Sequence, residues 1–303
     1  MDDDFDFTKP AAANGGALAP PALPLATKSK MYNAAVARKL FELGGAPEQL
    51  AAGSRFFVEH EVAAKGGLFS KTAVNKMYFL TAGEVALTAG GRVLDTIHSG
   101  EIFGEMAVIT GGARSATATA HSDCSGYSLD AAQFQSAIQR LPEFALMLLS
   151  VMFDRLRLLS ARLATRKSAA PTGERSSTLF DAATLALLQA QLEDAATLRY
   201  QRQKTIMREG EAGTYMYIVL EGSVAISING NVVETVRVGG SFGEMALVDQ
   251  SPRTAGASAV DDCALLAINR AALLALVKAQ PAFALALLRS VAGRLRHMNE
   301  LLA

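Results

Sequence analysis

"FGEMAVITGGARSATATA" runs from Phe103 to Ala120, and "FGEMALVDQSPRTAGASA" runs from Phe242 to Ala259. Each opens on Phe-Gly-Glu, passes through a short apolar turn, and sets an arginine eleven residues after the phenylalanine, before a run of small residues. The segments lie 139 residues apart, and the same offset relates Met77-Tyr78 to Met216-Tyr217, Gly83 to Gly222, Pro142 to Pro281, and "RLR" at Arg155 to Arg157 to "RLR" at Arg294 to Arg296. Roughly a third of residues 77–157 match their partners with no gap. A repeat of domain size is a duplication, not a solenoid.

Around these segments both copies share one layout. Alternating apolar and polar residues in "KMYFLTAGEVALTAGG" and "YMYIVLEGSVAISINGN" predict hairpins turning at Gly90-Gly91 and Asn229-Gly230. Short strands follow in "RVLDTIH", "SATATA" and "CSGYSLD" and in their counterparts. The period then becomes helical, with Leu146, Leu149, Phe153, Leu156 and Leu163 on one face. The expected fold class is mainly β with α: two tandem β-roll or jelly-roll barrels, each flanked by N- and C-terminal helices. The expected boundaries are a disordered tail at 1–30, a first domain at 31–165, a linker at 166–178 and a second domain at 179–303. The first copy opens through a longer, irregular segment, "FVEHEVAAKGGLFSKTAVNKMY", where the second has the compact "IMREGEAGTYMY".

Composition narrows the class. Lys+Arg and Asp+Glu both number 29, so there is no basic footprint of the kind nucleic-acid binding uses. No apolar run reaches the roughly 20 residues of a bilayer span, and "FALMLLSVMF" reads as a core helix. The acidic "MDDDFDFTKP" is unlike a secretory leader, so a cytoplasmic protein is expected. Cys124 and Cys263 are also one repeat apart, which reads as one core position occupied twice by a reduced thiol. The four histidines have no ligand spacing, so no metal is expected.

The chemistry of the repeated segment points to an anion. Gly104 and Gly243 allow close backbone approach. The turns that follow can aim their first N–H groups outward. The guanidinium of Arg114 or Arg253 suits a phosphate, and the carboxylate of Glu105 or Glu244 can accept from a hydroxyl. A ligand joining phosphate to ribose satisfies all three features. The residues alone leave a second reading open, in which each Glu–Arg pair simply locks the fold.

The second segment resembles the phosphate-binding cassette of the cyclic-nucleotide-binding domain family, with its Phe-Gly-Glu, apolar-Ala and Pro-Arg-(Thr/Ser/Ala)-Ala pattern. "EGE" and "MYIVLEGSVAI" resemble that family's barrel strands, and the likeness covers nearly all of both copies. It implies that Glu244 holds the ribose 2′-hydroxyl, that Arg253 meets the cyclic phosphate, and that the turn of Gly243, Glu244, Met245 and Ala246 offers backbone N–H groups. Thr254 and Ala255 complete the cassette. In the first copy the same roles fall to Gly104, Glu105, Met106, Ala107, Arg114, Ser115 and Ala116, with Ala113 where the family often has proline. The hydroxyls of Ser115 and Thr254 leave cyclic AMP and cyclic GMP both open. The family's apolar lid comes from a later helix or a neighbouring domain, and the resemblance does not say which residue supplies it here. No cofactor is implied. A non-catalytic receptor is expected, one that relays nucleotide binding to an effector protein through its helices, with the "MDDDFDF" tail as a candidate docking motif. The chain ends at "RHMNELLA" with no DNA-reading domain expected after it. A ligand-free scaffold, or the regulatory subunit of a separate enzyme, are the alternatives.

Overall fold

The computed structural model describes residues 32–62, 75–165, 180, 185, 186, 188 and 197–302. The tail at 1–30, the linker at 166–178, most of the helix expected to open the second copy, and residues 63–74 of the irregular segment lie outside the described residues.

Each copy forms two four-stranded antiparallel sheets that face one another. In the first copy β1 (Ala46–Leu50), β8 (Cys124–Asp130), β3 (Lys76–Ala82) and β6 (Ile102–Phe103) make one sheet. The other runs β2 (Arg55–Phe57), β7 (Thr117–Ala120), β4 (Val85–Ala89), β5 (Arg92–Ile97). The second copy repeats both orders with β9 (Thr197–Tyr200), β16 (Cys263–Asn269), β11 (Tyr215–Glu221), β14 (Ser241–Phe242), and with β10 (Thr205–Met207), β15 (Gly256–Ala259), β12 (Ser223–Ile228), β13 (Asn231–Arg237). The two expected hairpin turns form where the sequence places them. Gly90 and Gly91, like Asn229 and Gly230, all have positive φ, the backbone that a two-residue hairpin turn of this hand requires.

Alternate residues fill each barrel from its inner face, and on β3 and β11 the intervening Met77, Phe79, Met216 and Ile218 are buried against the helices. Phe57, Leu80, Val85, Ile97 and Phe103 pack with Cys124 in one, and Val219, Val224, Val236, Phe242 and Leu265 pack with Cys263 in the other. Both cysteines are free and buried. Register also locates the length difference between the copies. Phe57 pairs with Ala118 and Met207 with Ala257. Phe57 and Met207 are therefore equivalent although 150 residues apart, so the first copy holds eleven additional residues between β2 and β3.

The helices with described bounds are α1 (Ala34–Gly44), α2 (Glu105–Thr110), α3 (Ala131–Arg140), α4 (Glu143–Thr165), α5 (Glu244–Asp249), α6 (Arg270–Ala279) and α7 (Pro281–Leu302). Asp130 and Gln133 form a reciprocal capping box that starts α3, and the Asn269 side chain accepts from Ala272 N–H to start α6. The helical stretch that the sequence presents as one periodic run is two helices bent by 114° before Pro142, and the second copy bends by 113° before Pro281. A proline disfavours helical backbone in the residue before it, and Leu141 and Gln280 both leave the helical region there.

All ten residues of "FALMLLSVMF" are buried, because α4 packs on α3 of its own copy and on α7, α5 and α6 of the other. Phe144, Leu149 and Phe153 share one core with Phe283, Leu288, Val291 and Leu295, so the helices of both copies fuse into a single apolar body. Each such leucine or phenylalanine contributes roughly 1.5–3 kcal/mol on burial. No single described helix is long and apolar enough to cross a membrane. The helix α2 packs on α7, and α5 packs on α4, so each short helix also rests on the other copy's long helix.

Candidate functional site

Gly104 and Gly243 stand at the N-termini of α2 and α5 in the left-handed conformation (φ 74° and 81°), with no side chain capping the turn that follows. Their close approach has a definite object. A Cβ on Gly243 would lie 2.7 Å from Arg253 Nη1, and one on Gly104 would lie 2.9 Å from the Phe57 ring and 3.1 Å from Arg114 Nη1. Within the protein, the glycine makes room for the arginine.

That arginine is held by the backbone. Arg114 donates from Nη1 to the Gly104 carbonyl (2.9 Å) and from Nη2 to the Lys76 carbonyl (2.8 Å). Arg253 repeats both contacts, with the Gly243 carbonyl (2.6 Å) and the Tyr215 carbonyl. Only 5% of Arg114 and 6% of Arg253 is exposed. Burial pushes both guanidiniums below their ordinary pKa, partly offset by nearby Tyr78 and Tyr217. Arg114 also lies over the Phe57 ring, 4.0 Å from its centroid.

The glutamates take other partners. Glu105 pairs with Arg155 of α4 (2.5 Å), and Glu244 pairs with Arg294 of α7. Arg294 also reaches Glu234 (3.4 Å) and donates to the Ser241 carbonyl. Burial opposes its charge, but Glu244 and Glu234 outweigh that and hold its pKa above the ordinary value. The fold is thus not locked by Glu105 pairing with Arg114 or Glu244 with Arg253. Buried charge without a carboxylate partner is costly, and Arg114 and Arg253 have none among the described residues. Glu244 Oε2 is likewise buried with no hydrogen-bond partner among them.

All the residues singled out from sequence line two cavities. Gly104, Glu105, Met106, Ala107, Arg114, Ser115 and Ala116 face one with about 800 Å³ of empty space, part of it open to solvent. Gly243, Glu244, Met245, Ala246, Arg253, Thr254 and Ala255 face its counterpart of about 580 Å³.

The structure adds walls that sequence reasoning missed. Asp95 and Glu234, one repeat apart, bring a second carboxylate to each cavity. Burial raises the Asp95 pKa, with Arg155 and the Thr96 N–H pulling the other way. Arg155 and Arg294 line the cavities from the long helices. Leu295 and Asn299 of α7 reach the first cavity, and Leu156 of α4 reaches the second, so each is closed by the other copy's helix. A signal for these was present. "RLR" repeats at the same offset on helices that are otherwise apolar, and two arginines there ask for two partners.

The chain is similar to known proteins. The sequence model for the Cyclic nucleotide-binding domain matches residues 61–141 and 197–280. A cGMP-dependent protein kinase of Eimeria tenella is 28% identical over 217 residues, covering 70% of this chain and 19% of the kinase. A cAMP-dependent protein kinase regulatory subunit of Eremothecium gossypii is 43% identical over 65 residues, covering 22% of this chain and 14% of that subunit. This chain therefore spans a minor part of both relatives. Among solved structures, the regulatory domain of Toxoplasma gondii PKA with cAMP is similar at 21% identity and a TM-score of 0.30, covering 81% of this chain and 87% of that one. With two copies of the site and a matching sequence in each, the chain belongs to the cyclic nucleotide-binding domain family and carries that domain in tandem.

Proposed function

We propose that the protein is a non-catalytic receptor that binds one cyclic nucleotide in each cavity and relays occupancy to a partner protein through α4 and α7. The observation that carries this reading is the pair Arg114 and Arg253, buried cations held by neutral carbonyls beside an open cavity. Two of the five N–H donors of each guanidinium go to carbonyls, leaving three without a partner among the described residues. A phosphate would supply both the missing charge and the missing acceptors. Glu244 Oε2, buried and unpartnered among the described residues, would accept from a ribose hydroxyl.

The relay follows from a shared carboxylate, which would hold the ribose hydroxyl on one oxygen and the helix arginine on the other. A hydroxyl arriving at Glu105 or Glu244 meets the arginine of α4 or α7 already bound there. Occupancy then biases where those helices rest, which is a shift between helix positions and not a chemical step. The hydroxyls of Ser115 and Thr254, next to Arg114 and Arg253, donate to the sulfur atoms of Met106 and Met245 and not to a base. We place the unit boundaries at 31–165 and 179–303, with the tail at 1–30 as the segment to test for docking a partner.

Thermal unfolding with cyclic AMP, cyclic GMP and a cyclic dinucleotide tests the reading on the wild type, Arg114→Ala and Arg253→Ala. Ligand at about 100 times its dissociation constant adds roughly 2.7 kcal/mol to a site that binds it. The expected result is a rise in midpoint that each variant removes in part and the double variant removes fully. A wild type unmoved by any of the three ligands would favour a ligand-free scaffold.

A further inference from the structure

The tripeptide Arg-Leu-Arg occurs once in each long helix, at 155–157 of α4 and 294–296 of α7. Its first arginine serves its own copy, Arg155 on Glu105 and Arg294 on Glu244. The second faces away from the first, since residues two apart on a helix lie about 200° apart around its axis. Arg157 pairs with Asp249 and donates to Ser251 Oγ (2.9 Å), both in the second copy. Its other nitrogen is steadied by Asp154 of α4 (2.7 Å). Arg296 donates to Thr110 Oγ1 (3.0 Å) and to the Ala113 carbonyl (3.3 Å), both in the first copy.

These contacts land at equivalent places. Thr110 and Asp249 are one repeat apart and end α2 and α5. Ser251 stands two residues before Arg253, and Ala113 one residue before Arg114. Gly112, the counterpart of Ser251, leaves room for the visiting guanidinium, since a Cβ there would lie 2.7 Å from Arg296 Nη1. Each loop that carries an anion-facing arginine is thus gripped by the other copy.

We infer that Arg157 and Arg296 are positioning residues for the opposite cavity, and that through them the two nucleotide sites are energetically coupled. This rests on the receptor reading above. A ligand that shifts Glu105 shifts Arg155 with it, and so moves the helix segment whose next arginine holds Asp249 and Ser251. The mirror route runs from Glu244 through Arg294 and Arg296 to Thr110 and Ala113. Linkage makes the coupling equal in both directions. The two arms differ in strength, because Arg157 meets a carboxylate whereas Arg296 meets a hydroxyl and a carbonyl.

Calorimetric titration of the full chain with the nucleotide that it binds tests this, with Arg114→Ala or Arg253→Ala used to disable one site at a time. Arg157→Gln should weaken the second site about tenfold, the scale of one charge-assisted hydrogen bond, and leave the first unchanged. Arg296→Gln should weaken the first site by less and leave the second unchanged. Asp249→Asn should reproduce Arg157→Gln, and the pair together should be no worse than either alone. In chains with both sites intact, the effect of filling one site on the other should vanish in the Arg157→Gln/Arg296→Gln double variant. If wild type binds at both sites while these variants leave each affinity within twofold, or shift both sites alike, the inference is wrong and the receptor reading stands. Should wild type bind no nucleotide, both fall together.

Discussion

Leu156 and Leu295, one repeat apart in sequence, trade places in space: the leucine of α4 lines the second cavity and the leucine of α7 lines the first. Truncation should therefore act on the opposite copy. Leu156→Ala is expected to weaken nucleotide binding at the second site, and Leu295→Ala at the first. Each loss should be about tenfold, since burying a leucine contributes roughly 1.5–3 kcal/mol and only part of that faces the ligand. Titration with the remaining site disabled reads this directly. An effect confined to the residue's own copy would contradict the exchange.

Arg294 and Arg155 occupy equivalent positions but not equivalent surroundings. The Arg294 side chain is 9% exposed between Glu244 and Glu234, while that of Arg155 is 18% exposed and pairs with Glu105. Arg294→Met takes the cation from the buried carboxylate of Glu244 and should cost about 3–5 kcal/mol. Arg155→Met should cost less, about 1–3 kcal/mol. Denaturant unfolding ranks the two, and equal costs would argue against the deeper burial of the second triad.

The raised pKa of Asp95 gives stability a definite pH dependence. The folded chain holds this proton at pH values where the unfolded chain has released it. Stability from this group therefore increases as pH falls through the raised folded value, and the gain is complete below the ordinary aspartate value. At neutral pH the charged carboxylate works against folding, because burial is the largest cause of its shift. Asp95→Asn should thus stabilise the ligand-free chain at pH 7 and remove this part of the acid-side gain. Urea midpoints measured from pH 7 downward test it, and a variant less stable at neutral pH would show Asp95 to be a net stabilising partner of Arg155.

Gln250 closes α5 at φ 56°, where the first copy has Gly111 at φ 67°. A Cβ at Gly111 would meet nothing within 4 Å, so its substitution should cost only backbone strain. Gly111→Ala is expected to lose about 1–2 kcal/mol, the cost of a left-handed non-glycine residue. Gln250→Gly should gain somewhat less, because glycine also frees the unfolded chain. Thermal midpoints of the two variants should move in opposite directions.

Much of this molecule is legible from local pattern. The strands alternate barrel-facing and outward residues, the hairpins turn at residues that tolerate positive φ, and the repeat offset carries the assignments of one copy to the other from β3 onward. The residues Gly104, Glu105, Arg114, Gly243, Glu244 and Arg253, which the structure places on the two cavities, stand out in the sequence because glycine, carboxylate and guanidinium recur there at one fixed spacing. The helical run from Ala131 onward was harder to divide. Periodicity continues across Leu141-Pro142 and hides the bend of 114° that proline imposes.

The sequence by itself determined that two barrels exist and picked out the repeated glycine, glutamate and arginine of each, since those properties depend on neighbours within a few positions or on the repeat. Only the tertiary structure decided the partners. Glu105 could have taken Arg114, nine residues away, but binds Arg155, fifty away, because Arg114 is claimed by the carbonyls of Gly104 and Lys76. That Arg157 and Leu156 serve the second copy, while Arg155 serves the first, depends on where α4 crosses α7. A helix presents side chains in every direction, and which of them become contacts is set by what packs on each side.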